Sequence, residues 1–86
     1  MEERKLKVIG KVTHYYPNIN VAVIELNDEI SVGDKILIKG STTNFEKFVK
    51  SIQIEKKNIE RAFAGQKIGL KVKDRVREKD IVYKII

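Results

Sequence analysis

The 86-residue sequence predicts an all-β fold, a small closed β-barrel of the Greek-key type with six to seven strands. Three observations predict it. Apolar and polar residues alternate with a period of two in most segments, turn-forming residues separate these segments, and no helical period persists over about 12 residues. A closed barrel also leaves no exposed strand edge, which suits a chain this rich in strands.

The first strand is predicted in KLKVIGKVT, where alternate side chains fall on opposite faces. This alternation predicts that Ile9 points outward together with the neighbouring lysines. The residues expected on the core face are Leu6, Val8, Gly10 and Val12. Among them, the small Gly10 suits a position that another backbone approaches closely.

The segment HYYPNIN is predicted to be the loop that joins the first two strands. Pro17 fixes φ and removes a backbone donor, and the two asparagines tolerate turn geometry. Adjacent side chains of an extended chain point in opposite directions, so at most one of Tyr15 and Tyr16 is expected to plug the barrel end. The other tyrosine and His14, the only histidine, are candidates for contacting a partner.

Two further strands are predicted in VAVIEL, which is rich in β-branched residues, and in ISVGDKILIKG. In the second of these, Gly33 permits the positive φ of a tight turn. Ile36 and Ile38 are predicted to face the core, and Leu37 is predicted to face outward with its flanking lysines.

A fourth strand is predicted in EKFVKSIQIEKK. Its core side is expected to consist of Phe48, Ile52 and Ile54. Val49 is out of phase with these residues, which predicts a bulge or a bend near Ser51.

The segment NIERAFAGQK is too short for a stable helix and is interrupted by Gly65, so we expect an irregular crossing with Ile59 and Ala62 pointing inward. KIGLKVKDRV and IVYKII predict the last two strands. The inward residues of the first of these are Ile68, Leu70 and Val72.

The length predicts one domain over residues 1–86, with residues 1–4 as a loose N-terminal tail. No cysteine and a single histidine exclude disulfides, thiolate metal sites and a multi-histidine metal site within one chain. No apolar run approaches about 18 residues, so we expect a cytoplasmic protein that does not bind a membrane. No nucleophile signature surrounds the serines and threonines, so neither catalysis nor a cofactor is expected.

The formal net charge is +6, from 18 basic and 12 acidic side chains. This charge favours RNA or another polyanion as a partner, whereas a surface rich in Lys and Glu is also typical of thermophile proteins. Lysines of the first strand and of a late strand would form one basic ridge if the two strands were neighbours. The candidate contacts for nucleic acid or another partner are Lys5, Lys7, Lys11, His14, Tyr16, Lys71, Lys73, Arg75 and Arg77.

Several motifs share their order and spacing with a known domain: a VGD turn, a V-x-S-I strand, an A-x-A-G-x-x-hydrophobic-G-L strand entry and a closing strand. The residues that carry them are Val32, Gly33, Asp34, Val49, Ser51, Ile52, Ala62, Ala64, Gly65, Ile68, Gly69, Leu70 and residues 80–83. They resemble the second, β-barrel domain of elongation factor Tu-like translation GTPases, present without its GTPase domain. The resemblance implies a barrel of the translation-factor domain 2 type. The sequence lacks a GxxxxGK[ST] phosphate loop, so no nucleotide is expected.

A second set of residues is similar to the C-terminal barrel of collagenase-like peptidases. It consists of Gly10, Val12, Tyr15, Ala22, Ile24, Glu25, Leu26, Gly33, Asp34, Phe45 and Val49. This resemblance implies that Tyr15 supports the fold, which leaves Tyr16 and His14 for recognition.

The resulting hypothesis is a non-catalytic binding module associated with translation or RNA, with RNA or a ribonucleoprotein contacted through a basic face. The alternative is a protein–protein adaptor or an accessory subunit for a separately encoded enzyme. An uncharacterised enzyme is the third hypothesis, and the oligomeric state stays open.

Overall fold

The computed structural model describes residues 5–86, which form ten β-strands and no helix that is long and apolar enough to cross a membrane. The strands are β1 (Leu6–Tyr16), β2 (Val21–Leu26), β3 (Ile30–Ser31), β4 (Lys35–Lys39), β5 (Asn44–Phe48), β6 (Ile52–Ile54), β7 (Lys57–Ile59), β8 (Arg61–Ala62), β9 (Lys67–Lys71) and β10 (Ile81–Ile85). The all-β prediction is confirmed, with more and shorter strands than the six to seven expected. The predicted tail, residues 1–4, lies outside the described residues.

Eight strands form one antiparallel sheet in the order β5-β4-β10-β1-β2-β9-β6-β7, and β3 pairs with β8 in a second sheet. The large sheet ends at β5 and β7, and within residues 5–86 no backbone ladder joins these ends. In the described residues, backbone hydrogen bonds therefore do not close the sheet into the predicted barrel. β9 pairs fully with β2, but it meets β6 only where Gly69 faces Gln53. We call the gap between β5 and the end of β9 the seam.

The core consists mainly of β-branched residues, which suit the pleated surface of a strand. Ile24 and Leu70 are fully buried, as are Ile36 and Ile38 on the predicted inner side of β4. The fully buried isoleucines are Ile9, Ile24, Ile30, Ile36, Ile38, Ile52 and Ile68. The inward placement predicted for Ile68, Leu70, Val72, Ile59 and Ala62 is confirmed, because each is buried or packs against this core.

A bulge in β1 reverses the predicted faces of its first half. The register between β1 and β10 shifts between Val8 and Gly10, which turns Ile9 into the core. Leu6 and Val8 are consequently 44% and 45% exposed, so the prediction that they face inward and Ile9 outward is wrong. Gly10 is required at the bulge, since a Cβ there would lie 2.6 Å from the carbonyl oxygen of Glu25.

A second irregularity in β1, between Val12 and His14, places the two tyrosines. Tyr15 lies opposite the buried Ala22 and packs against the core, whereas Tyr16 is 48% exposed. The predicted placement of Tyr15 against the fold and of Tyr16 on the surface is confirmed. The predicted loop is too long, because β1 continues to Tyr16 and only residues 17–20 form the turn, with Asn20 at a φ of 54°.

The chain leaves the sheet at the end of β5 and bends through residues 49–51, as the out-of-phase valine predicted. The Val49 N–H donates to the carbonyl of Asp34 and its carbonyl accepts from the Gly33 N–H, both at 2.8 Å. These bonds tie Val49 to the turn before β4 and bury it. Phe48 is turned outward and is 58% exposed, so its predicted core position is wrong.

Candidate functional site

The seam opens to solvent as a groove of about 450 Å³. One wall is the end of β5, and the other is the chain from the end of β9 to residue 73. We call it the seam groove. Its lining residues are Glu46, Lys47, Phe48, Lys50, Ser51, Lys71, Val72 and Lys73. A smaller depression of about 240 Å³ extends it past Ser51 and Lys71 toward Ile19 and Val21.

The seam groove is strongly basic. Four of its lining residues are lysines and one is a carboxylate, Glu46, which pairs with Lys35 at 3.4 Å between Nζ and Oε1. The ammonium of Lys35 also lies 5.5 Å from the centre of the Phe48 ring. Among the ion pairs formed by residues 5–86, none involves a lysine of the seam groove.

Lys47 spans the seam. It lies opposite Ile36 in the β4–β5 ladder, so its side chain shares the face of the core, and its ammonium donates to the carbonyl of Lys71. Burial lowers the pKa of Lys47, and repulsion from Lys50 and Lys73 lowers it further. The Lys47 ammonium is thus held where the loss of hydration and the charges of neighbouring lysines both disfavour its protonated form.

A second surface has the opposite character. Cross-strand pairing places Val8 beside Tyr83 and Tyr83 beside Leu37, while Leu6 lies opposite Ile85. These five side chains share the outer side of β1, β10 and β4, since their strand neighbours Ile9, Val82 and Ile36 point into the core. We call this surface the apolar outer face.

The predicted basic ridge does not form as one surface. β2 lies between β1 and β9, so the two sets of predicted basic residues are not on neighbouring strands. Lys7 faces the inner side opposite Lys84 and pairs with Asp28 at 2.7 Å, whereas Lys11 lies opposite Glu25. The Lys7 ammonium lowers the pKa of Asp28 by hydrogen bonding, and the backbone N–H of Glu29 adds to this effect.

The other predicted contacts lie apart from one another. Lys5 precedes β1, and its carbonyl accepts from the Ile86 N–H at 2.9 Å. Arg75 and Arg77 are exposed between β9 and β10. His14 and Tyr16 form an edge-to-face pair with ring centres 4.3 Å apart, and His14 Nδ1 lies 3.6 Å from a carboxylate oxygen of Glu78.

Two predicted contacts, Lys71 and Lys73, line the seam groove, but the sequence interpretation missed Lys47, Phe48 and Lys50. The available signal was KFVK, because a valine out of phase between lysines marks the place where the strand breaks. The part of the chain that the structure describes contains no cluster of three His, Asp or Glu side chains that could hold a metal.

Comparison with known proteins relates the whole fold to one kind of domain. The chain is 46% identical over 81 residues to an uncharacterized protease of Methanocaldococcus jannaschii and 35% identical over 83 residues to a collagenase of Porphyromonas gingivalis. These matches cover 93% and 94% of the chain but only 20% and 23% of the two relatives. The chain is thus similar to a domain-sized segment of longer protease-type proteins. No family model matches.

The solved structure of the C-terminal domain of a putative U32 peptidase from Geobacillus thermoleovorans has the same fold. It superposes with a TM-score of 0.85 at 22% identity and covers 91% of both chains. A selenomethionine variant of that domain gives a TM-score of 0.84.

These relatives support the collagenase-like resemblance and do not show the elongation factor resemblance. The predicted translation- or RNA-associated function is wrong, because the relatives are named protease and collagenase. In these relatives the matching segment is part of the longer protein.

Proposed function

We propose that the chain is a non-catalytic accessory domain of a collagenase-type peptidase, and that its apolar outer face binds the catalytic part of that peptidase. The observation that carries the proposal is an exposed apolar surface over β1 and β10, bordered by the buried Leu37 of β4, in a domain that makes up about a fifth of its relatives. Adjoining apolar side chains left outside a fold mark interaction sites.

Four of the five side chains of this face are at least partly exposed, where a solvated sheet would carry polar residues, whereas Leu37 at its β4 side is 8% exposed. Leu6 and Val8 are nearly half exposed, and Tyr83 and Ile85 beside them are partly exposed. Burying such aliphatic side chains is worth about 1.5–3 kcal/mol each when burial is complete. A peptidase surface of matching apolar character would gain this energy.

The position of the face also favours the proposal. The hydrogen bond between Lys5 and Ile86 brings the start of β1 and the end of β10 to the edge of the apolar outer face. In a protein that carries this fold as a C-terminal domain, the preceding part reaches the domain at the start of β1. The catalytic part would therefore lie beside this face.

A supporting role agrees with the surroundings of the single histidine. The contacts of His14 in the described part of the chain are with Glu78 and Tyr16. A general base needs a substrate proton or a nucleophile within hydrogen-bond reach, and neither contact supplies a hydroxyl nucleophile of the serine type.

The test measures binding by calorimetry between this chain and the M. jannaschii relative truncated to remove its matching segment. We expect the double variant Leu6→Ser, Val8→Ser to weaken binding about ten-fold or more, since two aliphatic contacts are lost. The matched control is Ile19→Ser with Phe63→Ser, which changes two side chains of 59% and 53% exposure elsewhere on the surface. Circular dichroism checks that all variants fold.

Equal weakening by the control pair would contradict the proposal, as would the absence of binding by the unmodified chain to a folded, soluble truncated relative.

A further inference from the structure

We propose that the seam groove is a binding site for an extended, acidic segment of polypeptide. The proposal rests on the unpaired strand edges at the groove, on its charge and on its exposed apolar side chains. It uses none of the residues of the apolar outer face, so it stands independently of the proposed function.

Unpaired backbone edges favour a polypeptide as the ligand. Within residues 5–86, β5 pairs with β4 along one edge only, and its other edge faces the seam. Across the seam, Lys71 pairs with Val21 of β2, and within residues 5–86 its opposite edge has no ladder partner, its carbonyl instead accepting from the Lys47 ammonium. Free N–H and C=O groups of an edge strand accept another extended chain by strand addition.

The charge of the groove favours an acidic segment. Lys47, Lys50, Lys71 and Lys73 line it, and its one carboxylate, Glu46, is already engaged by Lys35. The ammonium of Lys47 donates to a neutral backbone carbonyl, and a carboxylate would accept a stronger hydrogen bond from it. The lowered pKa of Lys47 supports this view, because an anion would offset both its desolvation and the repulsion from its neighbours.

Apolar contacts at both ends of the groove suit an alternating sequence. Phe48 is exposed at one end, and Ile19 is exposed at the end of the adjoining depression. Side chains of an extended ligand point alternately to opposite sides, so carboxylates on one side would meet the lysines while the other side packs on these apolar groups.

The experiment measures fluorescence anisotropy at low ionic strength with a labelled peptide of about ten residues in which threonine alternates with glutamate, a length that covers one strand. The comparison probes are the same peptide with glutamine in place of glutamate and a single-stranded RNA of similar length. We expect the glutamate peptide to bind about ten-fold or more tightly than the glutamine peptide, because the charge-assisted bonds are lost in the latter.

Two variants with equal change in charge locate the site. Lys47→Gln removes a groove cation, and Lys11→Gln removes an exposed cation on β1 outside the groove. We expect Lys47→Gln to weaken the glutamate peptide about five-fold or more and Lys11→Gln to weaken it less than about two-fold, as for a distant screened charge. Lys73→Gln should weaken binding of the glutamate peptide to a similar extent. Agreement between the two groove variants would show that the effect of Lys47→Gln does not come from a local change in folding.

Equal weakening by Lys47→Gln and Lys11→Gln would overturn the proposal in favour of attraction to the overall charge. Tighter binding of the RNA than of the glutamate peptide would also overturn it. The peptide affinity of the Leu6→Ser, Val8→Ser variant should equal that of the unmodified chain, so failure of either proposal is recognised separately.

Discussion

The start of β1 and the end of β5 both interrupt the alternation of apolar and polar side chains, but the surfaces that result are different. In each segment two apolar residues follow one another, Val8 with Ile9 and Phe48 with Val49. In each, the second residue is buried and the first is exposed. At β1 the irregularity is a bulge, and the strand keeps partners on both sides, β10 and β2. At β5 the strand ends, and among the described residues its one ladder partner is β4.

This difference in strand pairing determines which side chains surround the exposed residue, and therefore whether the surface is apolar or charged. Exposed side chains of β1 lie beside those of paired strands, so Val8 joins Tyr83 in an apolar face. The exposed Phe48 lies at an open edge, where its neighbours are lysines of two chain segments that do not pair. Lysine at an open strand edge also discourages unwanted pairing with other chains. One irregularity of sequence therefore yields either an apolar or a basic surface.

The largest effect that tests this comparison is expected at the bulge. Ile9→Ala removes a fully buried side chain and should lower the free energy of unfolding by about 2–5 kcal/mol. Val8→Ala, one residue away, should change it by less than about 0.5 kcal/mol because Val8 lies on the surface. Urea denaturation of the two variants measures both values. Similar losses in the two variants would mean that the bulge does not set the faces of β1.

A smaller effect of the same kind is expected at the end of β5. Val49→Ala should lower the free energy of unfolding by about 1–2 kcal/mol, since two buried methyl groups are lost next to the turn before β4. Phe48→Ala should change it by less than about 0.5 kcal/mol, although Phe48 is the larger side chain. Denaturation under identical conditions compares the pair. A greater loss of unfolding free energy for Phe48→Ala than for Val49→Ala would mean that Phe48, and not Val49, faces the core.

The smallest effect concerns pH and the open edge. The folded state lowers the pKa of Lys47 below the usual value of 10.5, so the unfolded state binds more protons between the folded pKa and 10.5. The free energy of unfolding therefore gains a rising contribution as pH increases through this window. Lys47→Met should lack that contribution, whereas the paired control Lys39→Met, an exposed residue of β4, should retain it. Thermal unfolding between pH 7 and 10.5 measures the slopes.

Much of the fold follows from local pattern. The alternation predicts β4 and β9 with their inward residues, and the β-branched run predicts β2, because these strands pair regularly. The faces of β1 could not be predicted, since Val8, Ile9 and Gly10 are all compatible with either face. The contact that sets these faces is the close approach of Gly10 to the carbonyl of Glu25, which lies on the neighbouring strand β2.

The candidate sites depended still more on tertiary pairing. Lys71 and Lys73 were identified as basic residues, but their partner surface was expected on β1, which β2 separates from them. Lys47 meets Lys71 across 24 positions of sequence, and this meeting follows only from the order of the strands. The resemblance to collagenase-like peptidases carried information that spacing and charge lacked, because it assigned Tyr15 a supporting role and Tyr15 packs against the core.

The hydrogen bond from Ile86 to Lys5 has a consequence for the history of such a fold. The two ends of the described chain meet at one corner of the fold. Domains with adjacent ends tolerate insertion into a surface loop of another protein, and they tolerate circular permutation. The receiving protein would need only two neighbouring positions at which to join the ends of the domain. The domain is thus physically suited to be transferred between proteins as a unit.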